Sequence, residues 1–349
     1  MFDIDGKTVG INERPYIIAE LSANHGGRIA NAKAAIKTAM ECGASAIKIQ
    51  SYTPDTMTIE SDKPGFVISE GAWRGRTLYD IYSEGYTPFE WHKELFRYAK
   101  EIGITLFSSP FDETAVELLQ DLNAPAYKIA SFELVDIPLI KRVAQCGKPL
   151  LMSTGMASIG EVREALDTAL RHGNGEVLLF HCISSYPAPL EDTNLRNIEF
   201  LRKEFGVEVG LSDHTLTNLA ATVSIGMGAS AIEKHFKPSD STQGLDASFS
   251  ITPCQLKTLV SDCNDAWSSL GKAGFHRSNS EKGSRTYRRS LYFMKDLIKG
   301  SVIKPTDIRA IRPGNGLPPK FADEIIGKCL CIDVERGDPV TLDAVLSSE

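Results

Sequence analysis

The chain lacks most of the features that would assign it at once. No stretch approaches the ~20 consecutive apolar residues a membrane span needs, so no membrane partner is expected. Basic residues are in deficit: 38 Lys and Arg stand against 45 Asp and Glu, a net charge of −7. A nucleic-acid groove is thereby excluded as the main partner, since phosphate backbones bind basic surfaces. One small anion held by a few lysines is still allowed. Cysteine is sparse, seven residues in 349, with no C-x-x-C spacing. An odd count without that spacing reads as the reduced thiols of a cytoplasmic protein and not as a disulfide frame. Cys329 and Cys331 are too close for an ordinary disulfide and are expected to pack. Residues 1–10 are polar and acidic and offer no apolar signal core.

What the chain does have is a set of strand-like runs, each ending in polar or ionisable residues. Residues 16–19 run into Glu20, 46–47 into Lys48 and Gln50, and 126–127 into Lys128, Ser131 and Glu133. Further runs end at Ser153, at His181, at Ser212-Asp213-His214 and at Glu233-Lys234-His235. A parallel strand covered on both faces should be apolar throughout, so charges gathered at one end need a reason. In a (β/α)8 barrel that end is the mouth, where chemistry is done.

Helix-like segments alternate with these runs, at 31–41, 88–100, 114–122, 137–146, 159–171, 194–205, 216–227 and 253–270, with a further strand at 104–107. Strict alternation implies a parallel sheet with right-handed crossovers, and eight units favour closure into an α/β TIM barrel over residues 1–271. Residues 51–87 break the rhythm. A structureless loop beyond ~12–15 residues is uncommon unless functional or disordered. This one carries Trp73, Arg74, Arg76, Tyr79 and Tyr82, too aromatic for disorder, and reads as a substrate lid or specificity loop, or as an insertion packed on the rim. Residues 272–287 are polar and aperiodic, a linker. Residues 288–349, with strands expected at 291–293 and 340–342, form a small domain with a marginal core that should lean on a partner surface.

His214 and His235 end consecutive strands, which are neighbours in a barrel. Two imidazoles suit a divalent metal, with Glu133 or Asp246 adding a carboxylate directly or through water; singly, each histidine would be a structural hydrogen-bonder. Lys48 and Lys128, with Ser131, Ser153, Ser184 and Ser212, suit a phosphate or phosphoenol, the lysines as point charges and the hydroxyls as directed donors. Two alternatives stay open: one lysine could form a Schiff base, or both could be salt-bridged to Glu20 and Glu133 for stability. Glu20, beside Asn24 and His25, could hold a water or sugar hydroxyl and shuttle protons. Arg312, on the turn before Gly314-Asn315-Gly316, matters only if its domain covers a barrel mouth.

These residues resemble the sialic acid synthase family over nearly the whole chain. The matching words are Ala19-Glu20 with Asn24-His25-Gly26, Lys48-Ile49-Gln50, Tyr127-Lys128-Ile129-Ala130-Ser131, Ser153-Thr154-Gly155-Met156, Ser212-Asp213-His214-Thr215 and Glu233-Lys234-His235-Phe236. Arg312-Pro313-Gly314 then falls in what looks like the family's small antifreeze-like (SAF, β-clip) C-terminal domain. Members join phosphoenolpyruvate to a six-carbon N-acetylated sugar, releasing phosphate and giving a nine-carbon 2-keto acid. The resemblance implies that His214 and His235 bind a divalent metal, Mn²⁺ first, with Mg²⁺ or Co²⁺ as alternatives. It implies phosphoenolpyruvate amid Lys48, Gln50, Lys128, Ser131, Ser153, Ser184 and Ser212, and the sugar at Glu20, Asn24, Tyr186 and Asp246. Glu20, Lys48, Lys128 and Glu133 would carry the catalytic steps. Arg312 would reach the acceptor from the other subunit of a domain-swapped homodimer. The chain departs at Ser184, where family members often carry asparagine. Residues 73–88 look like the branch that makes pseudaminic acid from 2,4-diacetamido-2,4,6-trideoxy-L-altrose; N-acetylneuraminate and legionaminate synthesis are the same chemistry with other acceptors. A Schiff-base aldolase and a non-catalytic carbohydrate-binding protein are the rival classes.

Overall fold

Two-residue periodicity decides which strand residues face the barrel axis. In the computed structural model, which describes residues 1–70, 73–275 and 278–345, an N-terminal hairpin β1 (Phe2–Ile4) and β2 (Lys7–Val9) precedes the barrel. The barrel strands are β3 (Tyr16–Glu20), β4 (Ala46–Ser51), β5 (Thr105–Pro110), β6 (Tyr127–Ile129), β7 (Leu150–Ser153), β8 (Val177–Cys182), β9 (Glu208–Asp213) and β10 (Ala231–His235). They close in that order, all parallel, with β10 paired back on β3 so that His235 lies opposite Glu20.

The covering helices are α1 (Ile29–Glu41), then α2 (Pro54–Met57) and α3 (Leu78–Gly85) within the long segment, α4 (Phe89–Ile102), α5 (Glu113–Asp121), α6 (Ile137–Ala144), α7 (Ile159–His172), α8 (Asn197–Phe205), α9 (Leu219–Gly226) and α10 (Pro253–Leu270). Their ends are written locally. Ser158 with Glu161 and Thr252 with Gln255 make reciprocal capping boxes at the starts of α7 and α10. Gly103 ends α4 at φ 82°, a left-handed turn that a side chain would resist.

Outward positions of the strands, such as Ile47, Ile49, Tyr127, Ile129, Met152, Leu179, Leu211 and Ile232, join the helix faces in one core. Inward positions form a second, smaller core of Tyr16, Ile18, Ala46, Phe107, Leu151, Leu178, Phe180 and Ala231, into which Phe2, Ile4 and Val9 of the hairpin pack. The hairpin therefore plugs one end of the barrel, where Thr105 Oγ1 donates to Asp5 Oδ2, and the buried lysines and glutamates gather toward the other. Sequence reading saw only a polar segment at 1–10; a three-residue strand is too short to show alternation.

The barrel expectation holds, with corrections at the edges. Residues 51–87 are not wholly irregular: Thr53 and Thr56 cap α2 reciprocally around Pro54, and Thr77 accepts the Asp80 amide at 3.1 Å to start α3. Helices this short carry too few turns for periodicity to reveal. The helix expected at 194–205 begins at Asn197, after a 3-10 turn at Leu190–Asp192, and that expected at 216–227 shrinks to Leu219–Gly226.

The structure divides into the units Met1–Gly271 and Lys272–Glu349. In the second, residues expected as linker carry 3-10 turns at Asn279–Glu281 and Gly283–Tyr287, positions 276–277 lying outside the described residues. β11 (Ser290–Phe293) pairs antiparallel with β12 (Ile308–Ile311), and α11 (Ala322–Ile325) and α12 (Leu342–Val345) follow. Its own core gathers Leu291, Phe293, Ile303, Ile308, Ile325, Leu330, Val334 and Val340. No strand spans 340–342: Val340 exchanges backbone bonds with Leu291 and Leu317, and the chain then turns into α12; the predicted domain's last residues, 346–349, lie outside the described ones. All seven cysteines are free, and Cys329 is exposed, so packing does not explain it.

Candidate active site

At the open end of the barrel the inward residues bring buried charge together. Glu20 (β3), Lys48 (β4), Lys128 (β6) and Glu233 (β10) are all 5% exposed or less. Lys48 Nζ lies 3.0 Å from Glu20 Oε2 and 3.6 Å from Glu233 Oε2, and it donates to Ser109 Oγ at 3.2 Å. Lys128 Nζ donates to Glu233 Oε1 at 2.8 Å, and Ser212 Oγ donates to the same oxygen at 3.1 Å. Gln50 Nε2 donates to Glu20 Oε1 at 3.3 Å. Burial raises the Glu20 carboxyl to about 7 against the pull of Lys48, whereas the Lys128 and Lys48 ammoniums overcome burial at Glu233 and hold it ionised. Two carboxylates pushed apart in this way can hold one proton between them near neutral pH.

The structure thus revises the ion-pair alternative weighed from sequence. The lysines' partners are Glu20 and Glu233, not Glu133, whose Oε2 is buried without a partner and whose carboxyl burial raises to about 7. Glu233 is the residue sequence reasoning missed as a site residue. Its signal was parity: it stands two positions before His235 and therefore shares its face.

Ser131, Ser153 and Ser184 rim the same region. Ser153 Oγ is buried without a partner. A Cβ placed on Gly155 would come within 2.2 Å of Ser184 Oγ and 2.7 Å of Ser131 Oγ, so glycine there keeps a gap between the two hydroxyls. His214 Nδ1 donates to the Ile183 carbonyl at 2.8 Å, which leaves its other ring nitrogen free to accept. The His235 ring centroid is 5.4 Å away; burial first, and then His214, hold this imidazole neutral. His235 Nδ1 is buried with no hydrogen-bond partner, and Asp246 Oδ2 is 3.9 Å from it. Two imidazoles with ring nitrogens to spare and a nearby carboxylate fit a divalent cation as donor chemistry, although no group of three or more such side chains already converges as a metal site among the described residues. Tyr186 stacks on His214 at 4.2 Å, and Phe249 closes on His235 at 5.2 Å.

Above this floor lies a cavity of about 380 Å³. Gln50, Glu133, Ser184, Tyr186, His235 and Asp246 line it together with Met57, Ile68, Trp73, Leu78, Ile81 and Tyr82 of the long segment. The segment read as a lid or specificity loop therefore supplies apolar lining to a cavity that also holds polar groups.

Comparison with known proteins identifies the scaffold. Residues 35–274 match the model of the NeuB family, and residues 288–346 match the SAF domain. The chain belongs to the NeuB family. It is 40% identical over 327 residues to a pseudaminic acid synthase of Campylobacter jejuni, covering 94% of this chain and 95% of the relative. It is 36% identical to an N,N'-diacetyllegionaminic acid synthase of Legionella pneumophila, covering 92% of each. Among solved structures, an N-acetylneuraminic acid synthetase from Leptospira borgpetersenii aligns with a TM-score of 0.74 at 27% identity, covering 82% of this chain and 95% of that one.

Within the barrel unit of this NeuB-family chain, Asn24 and His25 do not line the cavity. Asn24 is fully buried, and its amide donates to Phe236 O at 2.9 Å and Ser250 Oγ at 2.8 Å, tying the first strand end to the segment that carries Asp246. His25 is buried as well; its Nδ1 accepts from Gly27 N at 3.1 Å, a local structural bond. Arg312 is exposed in the second unit.

Proposed function

We propose that this chain is a pseudaminic acid synthase, condensing phosphoenolpyruvate with 2,4-diacetamido-2,4,6-trideoxy-L-altrose and water to a nine-carbon 2-keto acid and phosphate. The observation that carries this is the mixed lining of the cavity: the polar Gln50, Glu133, Ser184, His235 and Asp246 share it with an apolar wall from Met57, Ile68, Trp73, Leu78 and Ile81. A doubly acetylated, deoxygenated sugar has methyl groups to place against such a wall, where N-acetylmannosamine offers more hydroxyls, and burying those without partners is costly.

Lys48 and Lys128, with Ser131, Ser153, Ser184 and Ser212, hold the phosphate charge in a preorganised site. His214 and His235 would hold a divalent metal, Mn²⁺ in the first instance, which would supply Lewis acidity for polarising the acceptor's aldehyde. Carbon 3 of phosphoenolpyruvate adds to the aldehyde carbon, water adds at carbon 2, and the C–O bond to phosphate breaks. Glu20, titrating near neutrality, gives or takes the proton at the acceptor oxygen or the attacking water. Asp246, Tyr186 and Glu133 orient the sugar from the cavity wall. In a homodimer Arg312 acts on the partner chain's acceptor. Glu20→Ala and Arg312→Ala homodimers are then both nearly inactive while mixed dimers recover part of the rate; no recovery would place the whole site in one chain.

One observation favours a Schiff-base aldolase instead: burial lowers the pKa of Lys128, although Glu233 opposes it. Borohydride with a keto acid should trap no adduct on the synthase, and a trapped lysine would establish the aldolase. The direct test of the proposal is phosphate release from phosphoenolpyruvate with Mn²⁺, offering the L-altrose derivative, its D-manno counterpart and N-acetylmannosamine in parallel, with and without chelator. Metal-dependent release with the altrose sugar alone is expected. Release only with N-acetylmannosamine would keep the chemistry and refute the acceptor.

A further inference from the structure

A second pair of buried charges lies at the ends of β9 and β10, next in sequence to His214 and His235, and faces away from the barrel axis. Along β9 and β10 the outward column is Val209, Leu211 and Asp213 beside Ile232 and Lys234, with Leu211 opposite Ile232 and Asp213 opposite Lys234. The apolar members of this column pack against α9 and α10 through Ala220, Ala221, Ile225, Leu256, Leu259 and Cys263. Into that layer the chain inserts an ion pair whose side chains are both 1% exposed, with Lys234 Nζ 2.5 Å from Asp213 Oδ2.

The pair does more than neutralise itself. Lys234 Nζ also donates to the Thr215 carbonyl at 2.6 Å, and Thr215 N donates to Asp213 Oδ1 at 2.9 Å. Lys234 therefore grips the residue before His214 and the residue after it, and its own chain neighbour is His235. One side chain fixes the backbone on both sides of one imidazole and lies next to the other. A buried ion pair is a poor way to gain stability, because apolar residues of similar size serve as well or better. Its use here is in the bonds it makes to the turn, which an apolar pair cannot make.

We propose that Lys234 and Asp213 are positioning residues that set the separation and aim of the His214 and His235 rings. This rests on the reading of those histidines as the metal pair of the proposed synthase. The lysines and serines that would hold phosphoenolpyruvate lie on the inward face and are not bonded to this pair.

The test is the apolar exchange Asp213→Leu/Lys234→Met, studied in the full-length chain. Thermal unfolding should remain near or above wild type and KM for phosphoenolpyruvate should stay within about threefold. Mn²⁺ affinity by titration calorimetry and kcat should each fall about 10–100-fold, the scale seen when the groups orienting metal ligands are removed. If the exchange does not fold, Asp213→Glu keeps both charges but lengthens the staple by one methylene, and should lower Mn²⁺ affinity and kcat with unchanged melting. Wild-type Mn²⁺ affinity and kcat in either folded variant would overturn the proposal while leaving the synthase reading intact. A wild-type enzyme that binds no Mn²⁺ and turns over fully in chelator would overturn the metal pair itself, and this inference with it.

Discussion

The barrel strands carry two kinds of buried charge, one turned into the barrel and one turned out. The outward pair is closed: Lys234 and Asp213 meet at 2.5 Å and their remaining bonds go to one turn. The inward set is open: Lys48 is shared between Glu20 and Glu233 at 3.0 and 3.6 Å, and Ser153 Oγ, Glu133 Oε2 and His235 Nδ1 have no partner. Burial costs both sets alike, so the difference lies in what is left unsatisfied. Closed charge holds backbone in place, whereas open charge awaits a ligand.

Breaking the closed pair by half should give the largest effect. Lys234→Met alone strands Asp213 in an apolar layer and should cost about 3–5 kcal/mol of stability in denaturant titration, most of it restored by adding Asp213→Leu. Lys128→Met, by contrast, leaves Glu233 still facing Lys48 and Ser212, so its main effect should be on turnover, lowering kcat/KM by about 10²–10³ as for loss of one preorganised donor. Gly155→Ala should follow: a methyl group between the Ser131 and Ser184 hydroxyls should raise KM for phosphoenolpyruvate about tenfold, roughly 1.4 kcal/mol, with melting little changed. A further prediction concerns pH. Burial raises the Glu133 carboxyl from 4.5 to about 7, so between those values the folded chain keeps a proton that the unfolded chain has released. Stability should therefore fall as pH rises through this window, and Glu133→Gln should flatten the slope in melts taken across it. An unchanged slope would mean that Glu133 is solvated.

The barrel and most of its mouth were legible because strand ends combine apolar runs with polar terminators, a pattern with a period of two. Lys48, Lys128, Ser212, His214 and His235 followed from that alone. Glu233 was readable by the same parity but looked like one charge in a charged word. Asn24 carries a role that its position beside Glu20 did not suggest: its amide donates to the backbone of Phe236. The apolar lining from Met57, Leu78 and Ile81 could not be read from periodicity, because α2 and α3 are too short to display it and depend on the Thr53, Thr56 and Thr77 caps. The N-terminal hairpin was hidden for the same reason, since three residues per strand carry no pattern.

The most direct test of the contrast between open and closed charge is the melting temperature of three proteins with and without saturating phosphoenolpyruvate. A ligand that binds only the folded state raises melting by mass action. Wild type and the Asp213→Leu/Lys234→Met exchange should both be stabilised, and Lys128→Met should not. Equal stabilisation of Lys128→Met, or none in wild type, would contradict the assignment of the inward charges to an anionic substrate.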